Sequence, residues 1–211
     1  MQGLDWHLFH LVNSLAGHVD LLDDFLTACA KELQYALLAV VATLWVTLAR
    51  DDTATYRRQS VVVYAVLAAL LALGINQVIG AIWYRPRPFV HHAVTLLLPP
   101  SSDASFPSDH AAGGFALAVA VLLARDLWAR RVGWLLLAMA ALLAFARVYC
   151  GTHYPFDVIA GAGIGAAAAF IIWRARPVLD PALRPLLLPL HRLTLFVLER
   201  LHLRRWIVVP S

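Results

Sequence analysis

Polar side chains capable of chemistry gather at the ends of three apolar segments. They are Arg85 and Arg87 after one segment, Ser108, Asp109 and His110 at the start of the next, and Arg147, His153 and Asp157 between the last two. Ionisable groups at membrane depth are costly and usually mark a functional site. Because successive segments cross a bilayer in alternating directions, these ends lie on the same side, and we expect the residues to form one site.

The expected chemistry of this site is phosphoryl transfer. Guanidinium groups match phosphate oxygens through paired N–H donors, and the first turn of a helix offers free backbone N–H groups. The arginines and the Ser108 hydroxyl therefore predict a polyanion pocket. A neutral histidine can attack phosphorus and a protonated one can give a proton to the leaving oxygen, so His110 and His153 supply reactivity.

A carboxylate is placed to orient His153. Asp157 follows His153 by four residues, and Pro155 between them is typical of a first helical turn. We expect the Asp157 carboxylate to reach back to the imidazole, fix its tautomer and stabilise its cationic form.

Each residue also has a simpler interpretation. Arg87 and Arg147 could be interfacial anchors whose guanidiniums reach the headgroups, and Ser108 and Asp109 could be helix N-caps. His110 alone is more often a hydrogen-bonded interior residue. The joint occurrence of all these residues on one membrane side favours a phosphate site over a set of independent accidents.

A metal site is a further alternative. His110, His153 and Asp157 would provide two imidazoles and one carboxylate. The neighbouring arginines oppose a divalent cation and favour a phosphate, so we expect neither a metal nor a cofactor.

Composition places these residues in a membrane protein. The chain of 211 residues is 61% hydrophobic and 14% charged, whereas soluble domains carry about 25% charged residues. This excludes a soluble enzyme, a disordered chain and a secreted disulfide scaffold, and no nucleic-acid partner is expected. Cys29 and Cys150 lie far apart in apolar stretches and are expected to be buried free thiols.

Five apolar runs predict an all-α, polytopic membrane helix bundle with about five transmembrane helices, since about 20 residues span the hydrocarbon. The runs are 33–49, 59–84, 110–124, 132–146 and 158–173. Residues 1–30 predict an interfacial amphipathic helix. Its apolar face is Leu4, Leu8, Leu11, Val12 and Leu15, and its polar face is Asp5, His7, His10 and Asn13.

Residues 177–211 are expected to form a tail after a membrane domain of residues 1–176. Prolines at 177, 181, 185 and 189 exclude a regular helix from the first part of this tail. Residues 190–205 predict a basic amphipathic helix on the anionic cytoplasmic leaflet. Its basic residues are Arg192, Arg200, Arg204 and Arg205.

Arginines in the loops orient the chain. They are Arg50, Arg57 and Arg58 in one loop, Arg125, Arg130 and Arg131 in another, and Arg174 and Arg176 after the last run. Alternation puts these three segments on one side, which the positive-inside rule assigns to the cytoplasm. The phosphate site is then expected on the outer face of the membrane.

The three-part pattern resembles the signature of the type 2 phosphatidic acid phosphatase superfamily, and the soluble vanadium haloperoxidases resemble the same site. The pattern is Arg87-Pro88, Pro107-Ser108-Asp109-His110, and Arg147, His153 and Asp157 at the spacing Arg-x5-His-x3-Asp. The strings Arg-Pro-Arg-Pro-Phe at 85–89 and Ser-Phe-Pro-Ser-Asp-His at 105–110 are similar to the bacitracin-resistance type of bacterial undecaprenyl-diphosphate phosphatase. The match covers roughly residues 5–175.

The resemblance implies a role for each matching residue. His153 is the implied nucleophile, Asp157 its orienting partner and His110 the acid that protonates the leaving oxygen. The implied phosphate ligands are Arg87, Ser108 and Arg147.

Three positions depart from the superfamily's usual pattern, and one of them is Ala146, where a serine usually precedes the third-motif arginine. The lysine that normally opens the first motif is Gly80 here, and Arg85 is the expected substitute. The usual glycine between serine and histidine is Asp109, as in the resembling subgroup. Asp109 is expected at the phosphate site, where it would hold Arg85 or Arg147 or raise the basicity of a neighbouring histidine.

The implied function is hydrolysis of undecaprenyl diphosphate to undecaprenyl phosphate in the bacterial plasma membrane, through a phosphohistidine intermediate. The product is the carrier lipid recycled for cell-wall precursors. One alternative is a phosphatase of the same superfamily acting on phosphatidic acid or phosphatidylglycerol phosphate. The other is a non-catalytic lipid-phosphate transporter that uses the arginines to grip head groups.

Overall fold

A computed structural model describes residues 2–49, 51–203 and 208. Seven helices make up this part of the chain. They are α1 (Gln2–Asn13), α2 (Asp20–Val46), α3 (Asp52–Ile82), α4 (Pro88–His91), α5 (Asp109–Leu122), α6 (Leu127–Tyr149) and α7 (Pro155–Arg200). Arg50, Arg204 and Arg205, which the sequence assigns to a basic loop and to the tail, lie outside the described residues.

The bundle has four long apolar helices and a short central one. In the described residues, α2, α3, α6 and α7 are long and apolar enough to cross a membrane. Helix α5 has 14 residues and is therefore about 21 Å long, shorter than the hydrocarbon thickness of about 30 Å. The all-α membrane bundle is confirmed, but the third of the five predicted spans is a short helix packed between α3, α6 and α7.

The amphipathic segment predicted over residues 1–30 is two helices. Helix α1 ends at Asn13 and α2 begins at Asp20, so the second half of the predicted segment belongs to the first membrane-spanning helix. The break occurs at Gly17, whose φ of 83° lies in the left-handed region that only glycine adopts without cost. The Gly17 N–H donates to the Asp23 carboxylate at 3.0 Å, which fixes the turn.

Helix α1 packs on the protein through Asp5 and Asn13 of its predicted polar face, whereas His7 and His10 are exposed. Asp5, Phe9 and Asn13 follow one another at helical spacing and are buried, whereas Leu4 and Leu11 are exposed. The Asn13 side chain donates to the carbonyl oxygens of residues 95 and 149, both at 2.8 Å. Of the predicted apolar face, Leu4, Leu11 and Leu15 remain exposed, whereas Val12 packs against the core.

The predicted break at the prolines is wrong, because α7 runs through all four of them. A proline removes one backbone hydrogen bond to the residue four positions earlier, and the four-residue spacing places every missing bond along one exposed face. The Trp173 carbonyl, which Pro177 leaves without an amide donor, accepts from Arg176 Nε at 3.0 Å. The boundary expected at residues 176/177 therefore falls inside a continuous helix.

The second half of α7 packs against the ends of α2 and α3. Buried His191 Nδ1 lies 2.7 Å from Gln59 Oε1, and Trp45 Nε1 donates to Thr194 Oγ1 at 3.0 Å. At the same end of the bundle, buried Arg58 is paired with Asp126 at 2.7 Å. The described part of the predicted basic tail helix is thus packed on the bundle.

Close packing of α7 on α5 positions the site. A Cβ atom on Gly161 or Gly165 would collide with the carbonyl oxygens of Ser108 and Ala112, so only glycine allows this approach. A Cβ atom on Gly163 would have no neighbour within 4 Å, so close packing does not require glycine at this position.

The two predicted buried free thiols, Cys29 and Cys150, are confirmed.

Candidate active site

His153 lies in the turn between α6 and α7 and is 2% exposed. Its Nδ1 is 2.9 Å from the Ser105 carbonyl oxygen. A carbonyl oxygen only accepts, so Nδ1 carries the proton and donates it, and Nε2 of the neutral ring keeps its lone pair. The loop before α5 therefore selects the tautomer in which Nε2 carries no proton.

Asp157 is close to His153 but is not its direct hydrogen-bond partner. The Asp157 Oδ2 atom lies 3.8 Å from His153 Nδ1, which is too long for a hydrogen bond. Oδ2 instead accepts from Ser105 Oγ at 2.5 Å and from the Tyr154 N–H at 2.9 Å. The predicted contact is thus electrostatic, and Ser105 is the tautomer-fixing residue that the sequence reasoning missed.

Arg85 does not stand in for the missing lysine as a free phosphate ligand. Its Nη1 pairs with Asp157 Oδ1 and its Nη2 with Asp5 Oδ2, both at 2.6 Å. The guanidinium also stacks 4.0 Å from the centre of the Tyr154 ring. Both of its terminal nitrogens are already bound to carboxylates, so this prediction is corrected: Arg85 holds Asp157 in place.

Asp5 joins the N-terminal helix to the site. It is 2% exposed, and its Oδ1 accepts from the backbone N–H of Phe156 at 3.0 Å while Oδ2 binds Arg85. Phe156 belongs to the first turn of α7, where a carboxylate is favourable beside the free N–H groups. The sequence predicts Asp5 only as part of the polar face of an amphipathic helix. Its partners Arg85 and Phe156 are 80 and 151 positions away, and no local sequence pattern indicates these contacts.

Arg87 lies beside His153. It is 5% exposed, its Nη1 donates to the Thr152 carbonyl at 2.8 Å, and the same nitrogen is 3.2 Å from His153 Nε2. The opposite edge of the guanidinium binds the Asp103 carboxylate through two hydrogen bonds, of 3.2 and 3.1 Å. A carboxylate in this paired geometry occupies the edge that would otherwise grip a phosphate.

Replacing Asp103 with asparagine should therefore tighten anion binding. Asp103 is 62% exposed, and exposed ion pairs contribute up to about 1 kcal/mol, so the inhibition constant of orthophosphate should fall by up to about fivefold. Asp24→Asn, which removes one exposed carboxylate from α2, is the control. Weaker or unchanged inhibition by phosphate in the Asp103 variant would show that this carboxylate does not compete.

Ser108 and Arg147 contribute donors without a protein partner. Ser108 is the N-cap of α5, as the simpler interpretation expected, but its side chain makes no capping hydrogen bond. Within the described residues, Ser108 Oγ and Arg147 Nε are buried and have no hydrogen-bond partner. A buried donor without a hydrogen-bond partner lowers the stability of the fold. A bound anion that accepts hydrogen bonds from Ser108 Oγ and Arg147 Nε would remove this cost.

Asp109 points away from the arginines. Its carboxylate accepts from Asn76 Nδ2 at 2.9 Å and from Gln77 Nε2 at 3.0 Å. The expectation that it holds Arg85 or Arg147 is corrected, because both carboxylate oxygens are bound by amides of α3. Asp109 thus fastens the start of α5 to α3.

His110 is the second residue of α5 and lines a cavity of about 360 Å³ together with Arg147. Within the described residues, no group of three or more His, Cys, Asp or Glu side chains is arranged to hold a metal ion. Asp157 is committed to Arg85, Ser105 and the Tyr154 amide.

The pH dependence of the reaction should reflect the environment of His153. Burial lowers the pKa of this imidazole from 6.5, and the Arg87 and Arg147 guanidiniums add to the shift while Asp157 opposes it. The neutral, nucleophilic form therefore persists as the pH falls below 6.5. We expect the acid limb of kcat/KM, which reports the free enzyme, to lie below pH 6.5 and to move upward in Arg87→Gln. An acid limb above that pH in the unmodified protein would contradict this assignment.

Several known proteins are similar to this chain over most of its length. Undecaprenyl-diphosphatase BcrC of Bacillus subtilis (strain 168) is 30% identical over 178 residues, which are 84% of this chain and 87% of that protein. The bacitracin transport permease protein BcrC of Bacillus licheniformis is 30% identical over 169 residues, 79% of this chain and 78% of that one. The crystal structure of LpxE from Aquifex aeolicus matches with a TM-score of 0.66 and 28% identity, covering 81% of this chain and 95% of that one.

The family assignment follows from the extent of these matches. The family model of the PAP2 superfamily matches residues 61–180, more than half of the chain, including every residue of the three-part pattern. The similarity to the Bacillus subtilis protein extends over most of both chains. The resemblance seen in the sequence is thereby confirmed: the chain belongs to the PAP2 superfamily.

Proposed function

We propose that this protein is a bacterial membrane phosphatase that hydrolyses a lipid diphosphate, undecaprenyl diphosphate, to the lipid monophosphate and phosphate. The observation that carries the proposal is the pairing of a tautomer-fixed His153 with Arg87, whose Nη1 lies 3.2 Å from His153 Nε2. The unpartnered donors of Ser108 and Arg147 complete an anion site. The name of the Bacillus subtilis relative, an undecaprenyl-diphosphatase, supports the choice of substrate.

The reaction proceeds in two balanced steps. His153 Nε2 attacks the terminal phosphorus, the bond from phosphorus to the bridging oxygen breaks, and protonated His110 gives its proton to the departing lipid phosphate. Water then attacks the phosphohistidine, gives a proton to His110 and releases phosphate and free His153. The guanidiniums and Ser108 stabilise charge on the equatorial oxygens in both steps.

The site is proposed to face the outside of the plasma membrane. Arg57 and Arg58 in the first turns of α3 and Arg125 just before α6 lie at the opposite end of the bundle, where Arg58 pairs with Asp126. The positive-inside rule assigns that end to the cytoplasm. A site on the outer face fits a carrier lipid that is recycled after cell-wall synthesis.

A lipid-phosphate transporter is the second candidate, because the Bacillus licheniformis relative is named a transport permease. Transport requires a route through the bundle and a grip on head groups, but no nucleophile. Phosphatidic acid and phosphatidylglycerol phosphate are the alternative substrates within a phosphatase, since both present the same phosphate chemistry to the arginines.

Phosphate release by purified protein in detergent tests the proposal. Undecaprenyl diphosphate, farnesyl diphosphate and phosphatidic acid should be compared by kcat/KM, with and without EDTA. We expect both diphosphates to be hydrolysed faster than phosphatidic acid and EDTA to have little effect. A preference for phosphatidic acid would overturn the substrate, strong inhibition by EDTA would support a metal mechanism, and no release from any substrate would favour the transporter.

A further inference from the structure

We propose that Lys31, the only lysine of the chain, binds the phosphate that stays on the lipid and so selects diphosphates over monophosphates. We call Lys31, His110 and Arg147 the leaving-phosphate subsite. This inference rests on the proposed function and identifies which group recognises the second phosphate.

The subsite is one wall of a cavity between α2 and the start of α5. The cavity measures about 360 Å³, and Lys31 lines it together with His110 and Arg147. Lys31 thus reaches the site from α2.

The direction of the reaction assigns the leaving group to this cavity. Attacking and leaving groups lie roughly in line on opposite sides of the transferred phosphorus. The attacking atom, His153 Nε2, is next to Arg87, whereas the proposed proton donor, His110, faces the cavity. The oxygen that takes this proton belongs to the lipid phosphate, so that phosphate lies on the cavity side.

The charges of the cavity fit a second phosphate. Lys31 brings an exposed ammonium on a flexible stem, and Arg147, whose Nε is assigned to the transferred phosphate, adds its positive charge to the same cavity. Glu32 also lines the cavity, which leaves one net positive charge among these three groups. Lysine and arginine are both suited to phosphate oxygens.

The lipid chain has a path from the same cavity. Tyr35 lines the cavity and is 62% exposed, and Leu38, one turn further along α2, is 51% exposed. Apolar side chains that face outward from a membrane helix face lipid. A diphosphate whose lipid chain lies along α2 would therefore have its lipid-bound phosphate beside Lys31 when its terminal phosphate is at His153.

Binding of two non-hydrolysable analogues tests the subsite. Farnesyl methylenediphosphonate carries both anionic groups, and farnesyl phosphonate carries only the terminal one. Lys31→Gln should weaken binding of the diphosphonate about tenfold or more, because a charge-assisted contact is lost, and should change binding of the monophosphonate less than about twofold. Lys31→Arg should restore diphosphonate binding.

Arg57→Gln is the matched control, since it removes one exposed positive charge from the other end of the bundle. Equal weakening of both analogues by Lys31→Gln, or no weakening of either, would overturn the Lys31 assignment while leaving the proposed function intact. Failure of the unmodified protein to release phosphate from farnesyl diphosphate would instead count against the proposed function itself.

Discussion

His153→Ala protein should release phosphate at least about a thousandfold more slowly than the unmodified protein. Water alone would have to replace the nucleophile, although Arg87, Ser108 and Arg147 would still hold the phosphate. Substrate affinity should therefore persist while kcat collapses. Phosphate release under saturating farnesyl diphosphate measures kcat, and binding of the diphosphonate analogue measures the remaining affinity.

The control for this substitution is His18→Ala, which removes an exposed imidazole outside the site. If the His153→Ala protein hydrolysed the substrate as fast as the unmodified protein, His153 would not be the nucleophile. The phosphohistidine stays a prediction, and alkaline quenching of a single turnover with ³²P-labelled diphosphate should trap the label on the unmodified protein but not on this variant.

Sequence alone places much of the active site because apolar segments are easy to recognise and must alternate across a bilayer. That constraint alone brings Arg87, Ser108 and His153 to one end of the bundle. It says nothing about which polar atoms meet there. Ser105 and Asp157 illustrate the limit: the spacing predicts a direct contact between Asp157 and His153, whereas the loop before α5 inserts the Ser105 carbonyl.

Contacts between distant segments account for the other differences. The partners Asp5 and Arg85 are 80 positions apart, and Lys31 reaches the site from a helix whose sequence reads simply as a span. The prolines of α7 show a different limit. Local propensity predicts a break there. The helix continues because α7 packs against α3 and is bonded to Trp45 of α2, and because the missing hydrogen bonds all lie on one exposed face.

Arg85→Gln should cause the second large loss, because Arg85 is the cation between two buried carboxylates. Asp5 is 2% exposed and Asp157 is fully buried. Removing one partner of a buried pair costs about 3–5 kcal/mol, since it leaves a charge uncompensated. We expect a clear fall in the melting temperature in detergent and a fall in kcat, because Asp157 and Ser105 would no longer hold the His153 imidazole.

The double substitution Asp5→Asn with Arg85→Gln separates stability from catalysis. It removes one of the two uncompensated carboxylates, so it should recover part of the melting temperature lost in Arg85→Gln while kcat stays low, because Asp157 still lacks its cation. A direct role of Arg85 in phosphate binding predicts a different pattern, in which KM rises and the diphosphonate analogue binds weakly. Wild-type stability and kcat in Arg85→Gln would show that the network around Asp5, Arg85 and Asp157 does not position His153.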